Sequence, residues 1–365
     1  MGQRLRAVEA VVTNPDFWRG RRVFLTGHTG FKGAWLSLWL RQVGAGVTAF
    51  SLDPPTTPNL FETARIAEGI RSIHGDIRNY DALAKALRDS GASIVFHLAA
   101  QATVAEGYRA ARDTFATNLT GTVNLLDAIR DCPGVEAAII VTSDKCYAPS
   151  PTGKPLREDD RLGGKDPYSA SKSCAEIATA SWRESFFSAE NSPRIATARA
   201  GNVIGGGDWG SHRLLPDMVR AFATGEALSL RMPAAIRPWQ HVLDALHGYL
   251  LLAERLAGKS GARFGGGWNF GAEDADHLSV AEVTRRAATL WGNGAHFVCA
   301  AENFQKETPT LRLDASRAKH ELGWTPRWPL DTALPRTLKW YQAWTRHEDM
   351  RAVTLTQLDD YLAVA

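Results

Sequence analysis

Arg22-Val23-Phe24-Leu25-Thr26 is an apolar strand that breaks at once into Gly27-His28-Thr29-Gly30-Phe31-Lys32-Gly33 and then runs into an apolar helical stretch over residues 34–43. Few folds accept that order. Glycines at Gly27, Gly30 and Gly33 let the backbone turn tightly, bring its N–H groups against a diphosphate and seat a helix on a sheet, with the positive helix N-terminus facing the negative charge. The next strand, Val47-Thr48-Ala49-Phe50, ends at Ser51-Leu52-Asp53, and Asp53 lies about 20 positions beyond the glycines, where an acidic side chain binds an adenosine ribose. The pattern predicts the opening of a doubly wound α/β sheet.

Alternation continues down the chain. Residues 70–74 form a poor strand followed by Asp76 and Ile77, which the order places at a strand end near an adenine; an N-cap of the next helix is the other reading of Asp76. Residues 93–101 form a fourth strand running into the small residues Leu98-Ala99-Ala100-Gln101, and a helix carrying Asn118 follows. Ala137-Ala138-Ile139-Ile140-Val141 is short and continuously apolar, as a strand buried on both faces of a parallel sheet must be. The polar run Thr142-Ser143-Asp144-Lys145-Cys146-Tyr147 therefore sits at a strand's carboxyl end, where open α/β sheets bind ligands. Downstream, Tyr168 and Lys172 are spaced i, i+4 on one helix face, which predicts an ammonium that lowers the pKa of a phenol.

Beyond the strand at residues 195–199 the texture changes. Gly201-Asn202-Val203-Ile204-Gly205-Gly206-Gly207-Asp208-Trp209 is irregular, residues 213–222 read as a helix, and Arg237-Pro238-Trp239-Gln240-His241-Val242 combines basic and aromatic groups able to hold a diphosphate and a base. Short strands such as residues 268–270 then mix with helices around residues 281–290 and 315–322.

A net charge of +3 over 365 residues is too small to argue for nucleic acid. Cys132, Cys146, Cys174 and Cys299 make no metal-spaced set, and His97, His241 and His247 form no H-x-x-x-H pair, so no metal is expected and reduced thiols in a cytoplasmic protein are. The opening Met1-Gly2-Gln3-Arg4-Leu5-Arg6 leads into too short an apolar patch for a signal segment, and no run approaches the ~18 apolar residues of a membrane span.

Taken in order, the glycine turn, the small-residue fourth strand, Ser143 and Tyr168-x-x-x-Lys172 resemble the extended short-chain dehydrogenase/reductase family over nearly the whole chain. The glycine turn, Thr142–Tyr147, Gly201–Trp209 and Arg237–Val242 are similar to its nucleotide-sugar 4,6-dehydratases. Relatives acting on dTDP-glucose carry Asp-Glu where this chain has Asp144-Lys145, a pattern that implies CDP-glucose; 4-epimerases lack the acid-base pair. The implied architecture is a Rossmann-type parallel sheet over residues 15–200, rejoined by 238–270, with a smaller mixed α/β lobe from 201–237 and 271–365 holding the nucleotide sugar.

That resemblance also implies roles. Bound NAD would be contacted by Gly27, Thr29, Gly30, Phe31, Lys32 and Gly33 in the turn. Further contacts fall on Ser51 or Asp53, on Asp76 and Ile77, on residues Leu98, Ala99, Ala100 and Gln101, and on Asn118, Thr142, Tyr168 and Lys172. Substrate would meet Thr103, Asn202, Arg213, Leu214, Arg237, Gln240 and His241. Tyr168, helped by Lys172, would take the proton of a sugar 4-hydroxyl that Ser143 hydrogen-bonds; Lys145 would remove the 5-proton and Asp144 protonate the departing 6-hydroxyl. An Asp144–Lys145 ion pair would leave both in the wrong protonation state, so their roles require a desolvated site in which the proton passes from lysine to carboxylate. The ribose-binding acid of many NAD relatives falls on Ser51, which leaves room for the 2′-phosphate of NADP. Helices over 118–129 and 168–187 pair in relatives, implying a homodimer, with a tetramer open.

Overall fold

The computed structural model describes residues 13–149, 153–299 and 312–364; the opening Met1–Arg6 reading and part of the expected second lobe lie outside them. Seven parallel strands form the main sheet: β1 (Arg22–Thr26), β2 (Gly46–Ser51), β3 (Arg71–His74), β4 (Ile94–His97), β5 (Ala137–Val141), β6 (Arg194–Ala200) and, after a break, β10 (Gly266–Phe270). Their order is β10-β6-β5-β4-β1-β2-β3, so the chain reverses direction across the sheet beside β1, which pairs with β2 on one side and β4 on the other. Ligands of such sheets lie in the crevice at that reversal.

Each strand divides its side chains between two cores, because successive Cβ atoms point to opposite faces. Val23, Leu25, Ala137, Ile139 and Val141 join the larger core, with Trp35, Trp39, Leu246 and Tyr249. Phe24, Val95, Ala138 and Ile140 join the other, against Leu83, Leu87, Leu125 and Ile129. All five residues of β5 are buried, as a strand covered on both faces requires. β3 is the outer strand, and its exposure explains its poor apolar composition.

The segment read as irregular and the basic, aromatic one beyond it both contain strands. β7 (Asn202–Ile204) and β9 (Ile236–His241) pair in parallel, and β11 (His277–Ser279) adds antiparallel to β9. A further parallel pair, β8 (Leu228–Leu230) with β12 (Phe297–Cys299), lies beyond. Their shortness, and Pro238 within β9, concealed them from strand patterning. The helical reading over 315–322 is π-helical across Ala318–Leu322, and the helices Leu330–Thr345 and Met350–Leu362 pack on the larger core through Leu334, Leu338, Trp340 and Tyr361. Among the described residues no helix is long and apolar enough to cross a membrane.

Candidate active site

The glycine turn closes on itself. Gly27 has φ +82°, and a Cβ there would stand 2.5 Å from the Ala99 nitrogen; at Gly33 it would stand 2.1 Å from the Gly27 oxygen. Gly30 caps the helix Phe31–Gln42, and a Cβ there meets only the Gly27 oxygen at 3.4 Å, so its free side opens onto the helix N-terminus. At the end of β2 the Ser51 and Thr29 hydroxyls lie 2.7 Å apart, and Thr29 donates to the Leu52 carbonyl at 2.9 Å. Ser51 is buried. Asp53, two residues on, has a side chain 87% exposed and paired with His74, so the strand end presents Ser51 and not the expected acid.

Asp76 grips Arg78 through its side chain and accepts the Arg78 amide, which holds its carboxyl below the ordinary range. It is not a helix cap, since Asn79 caps Tyr80–Ser90. Ile77 packs against Gly121. After β4, Asn118 accepts the Gln101 amide at 2.8 Å and donates to the Gln101 carbonyl and the Ser171 hydroxyl, tying the loop that carries Leu98, Ala99 and Ala100 to the tyrosine helix. Both amide hydrogens of Asn118 are committed there. Thr103 caps the helix Val104–Arg109. A tight turn on a helix N-terminus, a clear side at Gly30, a hydroxyl at the second strand's end and small residues after the fourth all fit a dinucleotide such as NAD.

At the end of β5, Ser143 caps a single 3-10 turn, Asp144–Cys146, by accepting the Lys145 amide at 3.2 Å. Its hydroxyl donates to Asp144 Oδ1 at 2.9 Å and favours the charged form of Tyr168, against the larger effect of burial. Asp144 is 4% exposed, its Oδ2 has no hydrogen-bond partner, and burial raises its pKa against the opposing charges of Lys145, Lys32 and Arg237. This carboxyl is held toward its acid form. Tyr168 and Lys172 lie on the helix Pro167–Phe186, which starts with Asp166 as N-cap and Pro167 in its first turn.

The expected lowering of the tyrosine is not what the site does. Burial pushes Tyr168 up to about 12, and Lys172 donates instead to the Val141 carbonyl at 3.2 Å, with burial bringing it down to about 8. Desolvation disfavours both charged forms, the phenolate and the ammonium alike. Lys32 reaches the same pocket, lowered by burial to about 8 and coupled to Arg213, Asp144 and Lys172.

Several expected ligand contacts are committed elsewhere. Thr142 donates to Glu176. Gln240 is buried and donates to the Phe270 carbonyl at 2.9 Å. His241 is fully buried between Trp35 and Trp328, where it caps the helix Val242–Ala257. The two share a face of β9 and differ in their place along it: Arg237, near its start, bears electrostatically on Asp144, whereas His241, at its end, sits in the larger core's aromatic cluster. Arg213 is locked onto Asp208 at 2.9 Å and its charge bears on Tyr168, while Leu214 is the first residue of the helix Leu214–Thr224 and Asn202 opens β7. His97 bridges Thr26 and Thr122 in the core. No group of three or more metal-ligating side chains occurs among the described residues.

Sequence reasoning missed Glu176 and Arg199, a buried ion pair at 2.8 Å behind the site. The signal was present in part, since Glu176 follows Lys172 by four residues on one helix face.

Comparison with known proteins agrees with this geometry. Residues 23–265 match the model of the NAD dependent epimerase/dehydratase family. The CDP-glucose 4,6-dehydratase of Salmonella typhimurium is 45% identical over 352 residues, covering 95% of this chain and 98% of that one. A dTDP-4-dehydro-6-deoxy-D-allose reductase of Streptomyces bikiniensis is 26% identical over 91% of this chain and 99% of its own. Among solved structures, a dTDP-glucose 4,6-dehydratase of Streptomyces venezuelae with NAD bound superposes with a TM-score of 0.75 at 23% identity, over 90% of this chain and 99% of that one, and shares the fold. On the glycine turn, the Ser143–Tyr168–Lys172 constellation and the matched residues together, this chain belongs to the NAD dependent epimerase/dehydratase family.

Proposed function

We propose that this chain converts CDP-D-glucose to CDP-4-keto-6-deoxy-D-glucose and water, using NAD as a resident cofactor, in deoxysugar biosynthesis. The observation that carries the reading is Asp144: a buried carboxyl held toward its acid form, set between Ser143 and Lys145, in a chain 45% identical to a CDP-glucose 4,6-dehydratase. A 4-epimerization needs no such acid, whereas expelling a 6-hydroxyl does.

NAD, held by the glycine turn, would supply a hydride acceptor for sugar carbon 4 and a hydride donor for carbon 6, with no net redox change. The residues supply the protons. Tyr168 removes the 4-hydroxyl proton, Lys172 turns from the Val141 carbonyl to stabilise the charge that results, and Ser143 holds the same oxygen. The ketone acidifies the 5-hydrogen, which Lys145 removes as a proton while Asp144 protonates the leaving hydroxyl, and the lysine returns that proton to carbon 5 when hydride reaches carbon 6. Arg213 and Arg237 bring positive charge from beyond β6 toward the substrate's diphosphate. NAD is the cofactor, and Ser51, buried at the end of β2, leaves room for NADP, so discrimination is less strict than an acid there would give.

The remaining assignments belong to the same reading: a cytoplasmic enzyme, with residues 201–237 and 271–365 forming the sugar lobe. It is a homodimer through the helices Gly121–Arg130 and Pro167–Phe186, the second of which exposes Ile177 and Phe186. The test is incubation of the protein and NAD with CDP-, dTDP-, UDP- and GDP-glucose, followed by the near-ultraviolet absorbance of a 4-keto sugar in alkali. Signal with CDP-glucose above the others is expected. Signal only with another sugar nucleotide overturns the substrate, and conversion to a 4-epimer without loss of water overturns the reaction.

A further inference from the structure

The segment bearing the acid-base residues is held at both ends by one buried ion pair. Glu176 and Arg199 have side chains 3% and 5% exposed, and Arg199 meets both carboxylate oxygens, Nε at 2.9 Å and a terminal nitrogen at 2.8 Å. Glu176 also accepts the Thr142 hydroxyl and, at 2.6 Å, the Thr197 hydroxyl. Four donors on two oxygens leave the carboxylate saturated. The other terminal nitrogen of Arg199 donates to the Tyr147 hydroxyl at 2.7 Å and to the Glu158 carbonyl at 3.0 Å, and Tyr147 passes its own proton to Asn269 at 2.7 Å.

Thr142 immediately precedes Ser143-Asp144-Lys145, and Tyr147 follows Cys146, which closes the turn. The helix that carries Tyr168 grips the segment twice more, Lys172 at the Val141 carbonyl just before the first anchor and Ser173 at the Cys146 carbonyl, at 2.7 Å, between the two. We infer that Glu176 and Arg199 are positioning residues, a clamp that fixes the Ser143–Lys145 turn against the tyrosine helix and so sets Asp144 and Lys145 relative to Tyr168. A saturated buried pair suits this task, because neither partner can swing away without leaving a charge uncompensated in the interior. The turn needs such support, since a single 3-10 turn contributes little order of its own. The inference rests on the dehydratase reading for its catalytic consequence alone.

Removing Glu176 itself strands a buried guanidinium and endangers folding, so the test uses Thr142→Val and Tyr147→Phe, each of which deletes one hydroxyl at one end of the turn and leaves the ion pair in place. Two readouts are taken. Hydrogen-deuterium exchange over residues 142–147, which needs no substrate, is expected to quicken in both variants while the rest of the sheet keeps its protection. In single turnovers with CDP-glucose, reduced nicotinamide should accumulate and decay roughly 10- to 100-fold more slowly than in the wild type, because misplacement by about 1 Å has that effect on a positioned step. KM should stay within about twofold, a split that general loss of stability does not produce. Wild-type exchange and wild-type decay in both variants would overturn the clamp. If the wild type yields no 4-keto sugar from CDP-glucose, the functional reading fails, and the exchange measurement still judges the clamp by itself.

Discussion

Ser143 donates its hydroxyl proton to Asp144 at 2.9 Å, and the same hydroxyl favours the charged form of Tyr168. The acid of one half-reaction and the base of the other are thus joined through a single side chain. While Asp144 is a carboxylate, Ser143 is turned toward it; once Asp144 is protonated it can donate to Ser143, freeing the serine proton for the sugar's 4-oxygen. Burial of Asp144, which favours the acid, therefore serves both steps.

Asp144→Asn should lose the elimination by roughly 100- to 10,000-fold while carbon-4 oxidation persists, so that reduced nicotinamide accumulates. The same variant should be more stable at alkaline pH. The folded carboxyl binds its proton above the ordinary carboxylate value, so it contributes stability below that value and loses it as pH rises through the raised one. Asparagine removes that loss. Thermal unfolding should show the variant about 2 °C or more above the wild type at pH 8 and level with it near pH 4; a variant less stable at pH 8 would mean that the buried carboxylate is stabilised in the fold.

Tyr168→Phe should cut carbon-4 oxidation by roughly 100- to 10,000-fold with nucleotide affinity nearly intact, since only the phenolic oxygen is lost. In the wild type kcat/KM should fall above pH about 8, where Lys172 gives up the charge that supports the phenolate. Stopped-flow absorbance and a pH series check the two; an unbroken rise to pH 10 would remove the lysine's charge from the mechanism.

The three glycines of the turn should fail differently. Gly27→Ala and Gly33→Ala drive a methyl into backbone at 2.5 and 2.1 Å, so both should fold poorly. Gly30→Ala meets only an oxygen at 3.4 Å, so it should fold normally and weaken NAD by about tenfold or more, its methyl lying on the diphosphate side. Calorimetric titration with melting curves separates the cases, and unchanged NAD affinity in Gly30→Ala would place the diphosphate elsewhere.

Ser51→Asp should weaken NADP more than NAD, through repulsion of the 2′-phosphate and a new hydrogen bond to the 2′-hydroxyl. Asp53→Asn should change NAD affinity by less than about twofold, since Asp53 projects into solvent beside His74. Titrating both cofactors against both variants decides which residue faces the ribose.

Local chemistry made most of the sheet legible. Ala137–Val141 could only be a strand covered on both faces, and Gly27, Gly30 and Gly33 could only follow one strand and open one helix, because hydrophobic period and glycine geometry act over a few residues at a time. The spacing of Tyr168 and Lys172 put them on one helix face for the same reason. What the chain order could not reveal depended on which distant groups arrive at each side chain. Lys172 meets Val141 and not the phenol, His241 turns into an aromatic core, and Thr142 serves Glu176. The Glu176–Arg199 pair joins a helix to a strand 23 residues on, and Arg199 reaches Tyr147 at a separation of 52. A pKa is likewise a property of the finished interior: burial moves Tyr168, Lys172 and Asp144 toward their neutral forms, and burial exists only once the sheet has closed around them.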